Sequence, residues 1–432
     1  MKIKRCLSWV LIPVAIGFSA FADDWPSWRG PHHNGSTTER GLPSTLDPAT
    51  DVKWRLALPG TSSATPVVSG NRVFLVSNNA NESQVYAICA DADTGQSLWQ
   101  KLLADDVRNT ARNTMASCSP VTDGKTVYFL AGSGDLLATD FDGNVVWNKN
   151  LQTDYGLIGQ QFGYSSSPLL HGGKLYLPIL RGQWEDRTAF SSYSDKDSRI
   201  VCLAADTGQE LWKAHRVSDA NGESFDSYAS AVPYTFDGTD AIIVQGGDYL
   251  SANDAATGKE LWRQFHNPRR GSNWRLIPSP IVVEDVVIGL QPRGGNAFAV
   301  KPDGNMRYDY DDSFWIYPGR TADVPTPAVY DGEVFILIGT TGELICLDPR
   351  TGAELWTGEL ETSARVWSSP TVGDGKLYCV DENGQVTIAR ISGGFEVLSR
   401  AQFGGSVTKS SVPIADGSLY IRTAEALYRA GG

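Results

Sequence analysis

Four heptapeptides in this chain are near copies of one another. They are Asp93-Thr94-Gly95-Gln96-Ser97-Leu98-Trp99, Asp206-Thr207-Gly208-Gln209-Glu210-Leu211-Trp212, Ala256-Thr257-Gly258-Lys259-Glu260-Leu261-Trp262 and Arg350-Thr351-Gly352-Ala353-Glu354-Leu355-Trp356. Self-similarity with an underlying period of roughly 40–50 residues restricts the chain to stacked or circular architectures. The residues between the copies narrow the choice further. Each unit opens with hydroxyl residues and usually a proline, as in Ser117-Cys118-Ser119-Pro120, Ser165-Ser166-Ser167-Pro168 and Ser368-Ser369-Pro370. A turn such as Asp123-Gly124-Lys125 follows, then apolar runs such as Val73-Phe74-Leu75-Val76 and Val85-Tyr86-Ala87-Ile88. Short apolar runs bounded by Gly, Asp and Asn are antiparallel strands. In the Thr-Gly turn, glycine supplies the positive φ that a tight hairpin needs.

Four antiparallel strands per unit make a propeller blade. The sequence therefore predicts an all-β fold, an eight-bladed β-propeller over residues 51–432. The aromatic closing each fourth strand recurs at Trp54, Trp99, Trp147, Trp212, Trp262, Tyr308 and Trp356, with Leu398 as a degenerate last member. These side chains are expected to wedge between neighbouring blades, where one indole buries about 150–250 Å². The chain ends complete the count. Lys409 to Arg429 supplies three strands of a blade, and Val52 to Leu56 is a fourth strand with nothing before it. Pairing them closes the ring and removes two open sheet edges. Seven blades with a loose N-terminal strand is the alternative.

Residues 1–22 read as a secretory signal. Lys2, Lys4 and Arg5 precede an apolar stretch from Leu7 to Phe18, and Ala20-Phe21-Ala22 is an A-x-A cleavage site. No later segment reaches the ~20 apolar residues of a membrane span. The expected location is periplasmic or secreted. Residues 23–50, rich in Gly, Pro and polar side chains, are expected to form an irregular strap across the ring. The formal charge of −12 argues against nucleic acid as a partner. Of six cysteines, Cys89, Cys202 and Cys346 hold one equivalent position in three units, so they are expected to be buried filler. A Cys118–Cys379 disulfide is left open by the sequence.

The recurring A-x-x-x-TG-x-x-LW pattern is similar to that of the PQQ-like repeat family. That family includes quinoprotein alcohol dehydrogenases and the outer-membrane assembly lipoprotein BamB. Asp24-Trp25-Pro26-Ser27-Trp28-Arg29-Gly30-Pro31 also resembles an opening found in secreted bacterial members. The chain departs from both well-known branches. It has no adjacent cysteines for the vicinal disulfide of the dehydrogenases, and Asp23 stands where the assembly lipoprotein carries its lipid-bearing cysteine. The resemblance thus implies a non-catalytic binding or assembly scaffold without cofactor, acting as a monomer on an envelope protein, peptide or acidic glycan. The second implication is an oxidoreductase holding pyrroloquinoline quinone with calcium.

Propeller geometry puts the connections from strand four to strand one, and from strand two to three, on one face. That face carries the irregular sequence, and loops on a rigid scaffold are where binding concentrates. Trp184, Trp274, Trp315 and Trp367 fall there, as does an insertion from Leu180 to Arg199. The expected ligand mouth comprises Arg112, Tyr164, Tyr228, Trp274, Arg275, Arg320, Arg365 and Trp367. Guanidinium groups suit a carboxylate, sulfate or acidic peptide. The competing expectation is that these arginines pair with Asp226, Asp309 and Asp323. No catalytic residue and no metal site is expected. His32-His33 lacks further spaced ligands. Asp309, Asp311 and Asp312 lack the calcium-loop spacing, no G-x-S-x-G is present, and Gly246-Gly247 and Gly294-Gly295 lie in hairpins rather than phosphate loops.

Overall fold

The computed structural model describes residues 24–107, 110, 112–180, 198–405 and 408–432. The signal segment and Trp184 lie outside the described residues. Eight antiparallel sheets follow one another around a ring, each of four strands and one with an added fifth. Blade 1 consists of Val67–Ser69, Arg72–Asn78, Val85–Asp91 and Ser97–Ala104. Blades 2 to 7 repeat the order over 121–150, 169–215, 232–265, 281–317, 328–359 and 371–402. In blade 8, Ile414–Ala415, Ser418–Arg422 and Ala426–Ala430 are joined by the N-terminal strand Val52–Ala57, with Trp54 opposite Arg429. The ring is closed by both ends of the chain, as the sequence predicts.

The strands differ in burial for a simple reason. Second and third strands are covered on both faces by adjacent blades, and their residues are almost uniformly buried. Fourth strands form the rim and alternate, as in Glu210–His215 and Glu354–Glu359. Alternation at period two is what one covered face requires. In the repeated Leu-Trp pair, Leu98, Leu211 and Leu355 therefore face out at 45–48% exposure, and the tryptophan turns in.

The tryptophans hold the blades together by a repeated contact. Four of them pack on the turn glycine of the next blade and donate the indole N–H to a carbonyl there: Trp54 to Ala92 (2.8 Å), Trp99 to Phe141 (2.9 Å), Trp147 to Ala205 (2.9 Å) and Trp212 to Ala255 (3.2 Å). A Cβ on Gly95, Gly208 or Gly258 would sit 2.5–2.7 Å from the indole, and all three have φ near +70°. Only glycine meets both conditions. On their own blades, three of the tryptophans stand opposite a cysteine: Cys89 opposite Trp99, Cys202 opposite Trp212, Cys346 opposite Trp356. A register shift follows at the same point each time, consistent with a β-bulge. The equivalent cysteines are thus filler beneath an indole. All five described cysteines are unpaired and buried, Cys118 and Cys379 included.

Blade 5 corrects the reading of the wedge set. Its fourth strand is Trp315–Tyr317, and Trp315 packs on Gly352 and donates to Pro349 (2.7 Å). Tyr308 lies instead in Arg307–Tyr308, which adds in parallel to the outer strand of blade 4 and covers Trp262 edge-on. The excursion between the third and fourth strands shifts the aromatic by seven positions. Trp315 accordingly belongs to the rim and not to the irregular face. Trp356 also differs, packing on Phe395 in place of a glycine.

Residues 24–50 cross the face that carries the turns between first and second strands. Trp25 is fully buried and exchanges two backbone hydrogen bonds with Val68 of blade 1. Asp24 accepts from Ser69 and Gly70, and Glu39 accepts from the amides of Asp416 and Gly417. Thr37 and Gly35 bond to Val372 of blade 7. Each carboxylate caps a turn whose amides would otherwise lack partners.

Candidate functional site: a one-ended axial cup

The hydroxyl residues at the start of each blade meet around the axis. The backbone N–H of one donates to the side-chain oxygen of the next, in chain order: Thr65 to Ser119, Ser119 to Ser167, Ser167 to Ser230, Ser230 to Ser279, Ser279 to Thr326, Thr326 to Ser369 and Ser369 to Ser411. Ser411 donates to Thr65 and closes the circuit, all at 2.8–3.1 Å. Six of the eight residues are followed directly by proline, which has no N–H to compete and holds its predecessor extended.

Above this circuit is a cavity of about 570 Å³, in the range of small-ligand sites. The connections between blades supply its walls: Arg112 and Asn113, Phe162, Tyr228, Arg275, Asp323, Arg365 with Trp367, and Lys409. Trp28 of the strap lines it too, although the strap lies on the opposite face. The cavity is therefore a cup, open at the irregular face and stopped by Trp28 and the hydroxyl circuit.

Five of the eight expected mouth residues, Arg112, Tyr228, Arg275, Arg365 and Trp367, line the cup. Three do not. Tyr164 is buried, and its hydroxyl donates to the Pro178 carbonyl (3.1 Å). Trp274 stands beside the cup, packed near Gly271. Arg320 is exposed on the surface outside it. Sequence reasoning missed Lys409, Glu382, Trp28 and the hydroxyl circuit. The pre-proline hydroxyls were a visible signal, but Ser230 is followed by Ala231 and breaks the pattern.

The charges are unevenly placed. Arg275, mostly buried, pairs with Asp323 at 3.3 Å, so that side of the rim is neutral. Arg112, Lys409 and Arg365 crowd the other side. The Lys409 ammonium donates to the Arg112 carbonyl (2.7 Å). Burial, and secondarily Arg112, hold Lys409 below the usual lysine range, while Glu382 pulls the other way. Arg112 lies over Phe162 at 5.9 Å and Arg365 over Trp367 at 6.0 Å. Flat faces back these cations and leave their other sides to a ligand. Tyr228 accepts from the Phe162 amide (3.2 Å), and burial pushes its phenol well above the usual range.

Among the described residues no three His, Cys, Asp or Glu side chains are grouped to hold an ion. Burial raises all five thiols, which stand singly. No helix among the described residues is long and apolar enough to cross a membrane.

Comparison with known proteins agrees with this architecture. The profile of the family described as outer membrane protein assembly factor BamB matches residues 36–177, 181–313 and 311–424. A polyvinylalcohol dehydrogenase of Pseudomonas sp is 26% identical over 77% of this chain, and the chain spans 59% of that protein's length. An outer membrane protein assembly factor BamB of Yersinia pestis is 23% identical, over 68% of this chain and 77% of its own. Among solved structures, a europium-containing methanol dehydrogenase superposes with a TM-score of 0.68 at 12% identity, covering 93% of this chain and 90% of its own. That likeness is one of fold.

Proposed function

From a chain that belongs to the PQQ-like repeat family described as outer membrane protein assembly factor BamB, we propose a non-catalytic binding scaffold of the periplasm or the extracellular space. It captures an acidic ligand, part of an envelope protein, peptide or glycan, in the axial cup. One observation carries this reading. Arg112, Arg365 and Lys409 face the cup beside Glu382, the one carboxylate on that side among the described residues, in a protein whose formal charge is −12. Positive charge concentrated in a concave site focuses anions there even when the net charge repels them.

Capture of a labelled acidic peptide by the wild type and by R365Q/K409Q tests the proposal. The double variant should bind at least about tenfold more weakly, the loss of two charge-assisted contacts. Wild-type affinity should fall as salt rises. Equal capture by both proteins would overturn it.

The names of the dehydrogenase relatives favour a second reading, a quinone-dependent oxidoreductase. The cup does not fit calcium-bound quinone: among the described residues its carboxylates are Asp323, paired with Arg275, and Glu382. Titration with the quinone and calcium, followed by dye reduction with an alcohol, separates the two. Trp28 and Trp367 in the cup provide the fluorescence signal. Dye reduction would displace the scaffold reading.

A further inference from the structure

The floor of the cup is built of donors without acceptors. Each circuit residue spends its N–H on the next hydroxyl, so the oxygen accepts and its O–H is left to donate elsewhere. Among the described residues no protein acceptor takes the O–H of Thr326 or Ser369, both at least 95% buried and both lining the cup. A buried donor left unpaired costs about 1–3 kcal/mol. Water or a ligand in the cup is what can accept from these groups.

A second observation comes from beneath. Arg29 of the strap is 3% exposed and donates to the carbonyls of Pro370 (3.1 Å) and Pro327 (2.6 Å). These prolines directly follow Ser369 and Thr326. The guanidinium therefore lies under that same arc of the circuit, with its carbon 5.7 Å from the Trp28 ring. Among the described residues no carboxylate forms an ion pair with it, and its Nε has no partner. Burial alone lowers its pKa to about 9. A buried cation is retained when something compensates it, and Arg29 has only carbonyl dipoles.

We propose that the arc formed by Thr326 and Ser369 seats a carboxylate, with Arg29 as its counter-ion through the floor. The seat rests on the cup being a ligand site and specifies which end of the ligand enters first. A carboxylate offers two oxygens to neighbouring hydroxyls and one negative charge to one uncompensated cation. The group comes from a small acid or from the C-terminus of a peptide. Arg29 is a positioning residue, since it acts from beneath the floor.

Calorimetry with three probes tests this: succinate, acetyl-triglycine and acetyl-triglycine amide. Binding of either acid, with the amide at least tenfold weaker, is the expected result, and the acid that binds identifies the source. R29Q and S369A should each weaken the acid about tenfold, while R29K and S369T stay within about threefold, because the paired variants keep the charge and the hydroxyl. If R29Q fails to fold, the S369A and S369T pair decides. Equal affinity for acid and amide, or wild-type affinity in R29Q and S369A, would sink the seat. If R365Q/K409Q loses acidic-peptide capture while R29Q and S369A bind the acids normally, the seat is wrong and the cup still binds through its rim. If the wild type captures no acidic peptide, the cup reading falls; if it binds neither acid, the seat falls.

Discussion

A methyl group at Gly258 would stand 2.5 Å from the Trp212 ring, on a backbone with φ of +75°. Either fault alone is costly, and G258A combines them. It should lose roughly 2–4 kcal/mol in urea unfolding. Asp248 gives a residue-level prediction in pH. Burial raises its carboxyl to about 6 despite a hydrogen bond from Asn267, and its φ is +67°. The folded protein therefore holds this proton more tightly than the unfolded chain does. Its contribution is full below about pH 4 and is lost as pH rises through about 6. D248N keeps the acceptor and suits the positive φ. It should flatten that slope and raise the thermal midpoint at pH 7. At this scale the sequence was legible where a residue repeats and opaque where it does not. Trp99 and Trp212 declare themselves by their heptapeptides. Trp315 has no Thr-Gly before it, so Tyr308 was read in its place. Arg275 and Tyr164 look alike in a loop, because nothing local records that one reaches the axis and the other bends back to Pro178.

The strap is the element whose order depends most on polar contacts. His33 sits within it and is mostly buried, and burial lowers its pKa to about 4, with His171 and His32 adding to the effect. The folded form holds the neutral ring. Its share of stability is present above about pH 6.5 and disappears as pH falls through about 4. Limited proteolysis should therefore cut within residues 24–50 faster at pH 4 than at pH 7, and H33N should reduce the difference. Strand elements were readable in advance because their periods are local: Glu354–Glu359 alternates, Val334 to Leu337 is apolar throughout. The excursion after Ala297–Val300 was not, since its parallel addition to blade 4 depends on a partner distant in sequence. The strap's course was equally hidden. Its residues bond to turns of blades 1, 7 and 8, and no periodicity encodes that path.

At the scale of the whole molecule, the ring holds itself shut twice, by the split blade at the rim and by the hydroxyl circuit at the axis. The circuit's eight bonds run in one rotational sense, and each net bond is worth about 1 kcal/mol before mutual polarisation. Deleting 426–432 removes the strand between Ser418–Arg422 and Val52–Ala57 and should broaden the thermal transition and expose blade 1 to protease. Trp54→Ala should instead preserve one sharp transition at lower stability, by about 3–5 kcal/mol, since it empties a wedge without opening the sheet. The split blade also fixes an order of events in time. Val52–Ala57 leaves the ribosome long before its neighbour Ala426–Ala430. Until that neighbour emerges the earlier strand has no edge to join, and contacts so far apart in sequence form late. The nascent protein accordingly carries an unsatisfied hydrogen-bonding edge until Ala426–Ala430 has been made, and that open interval is when a holding chaperone or an export channel has access to it.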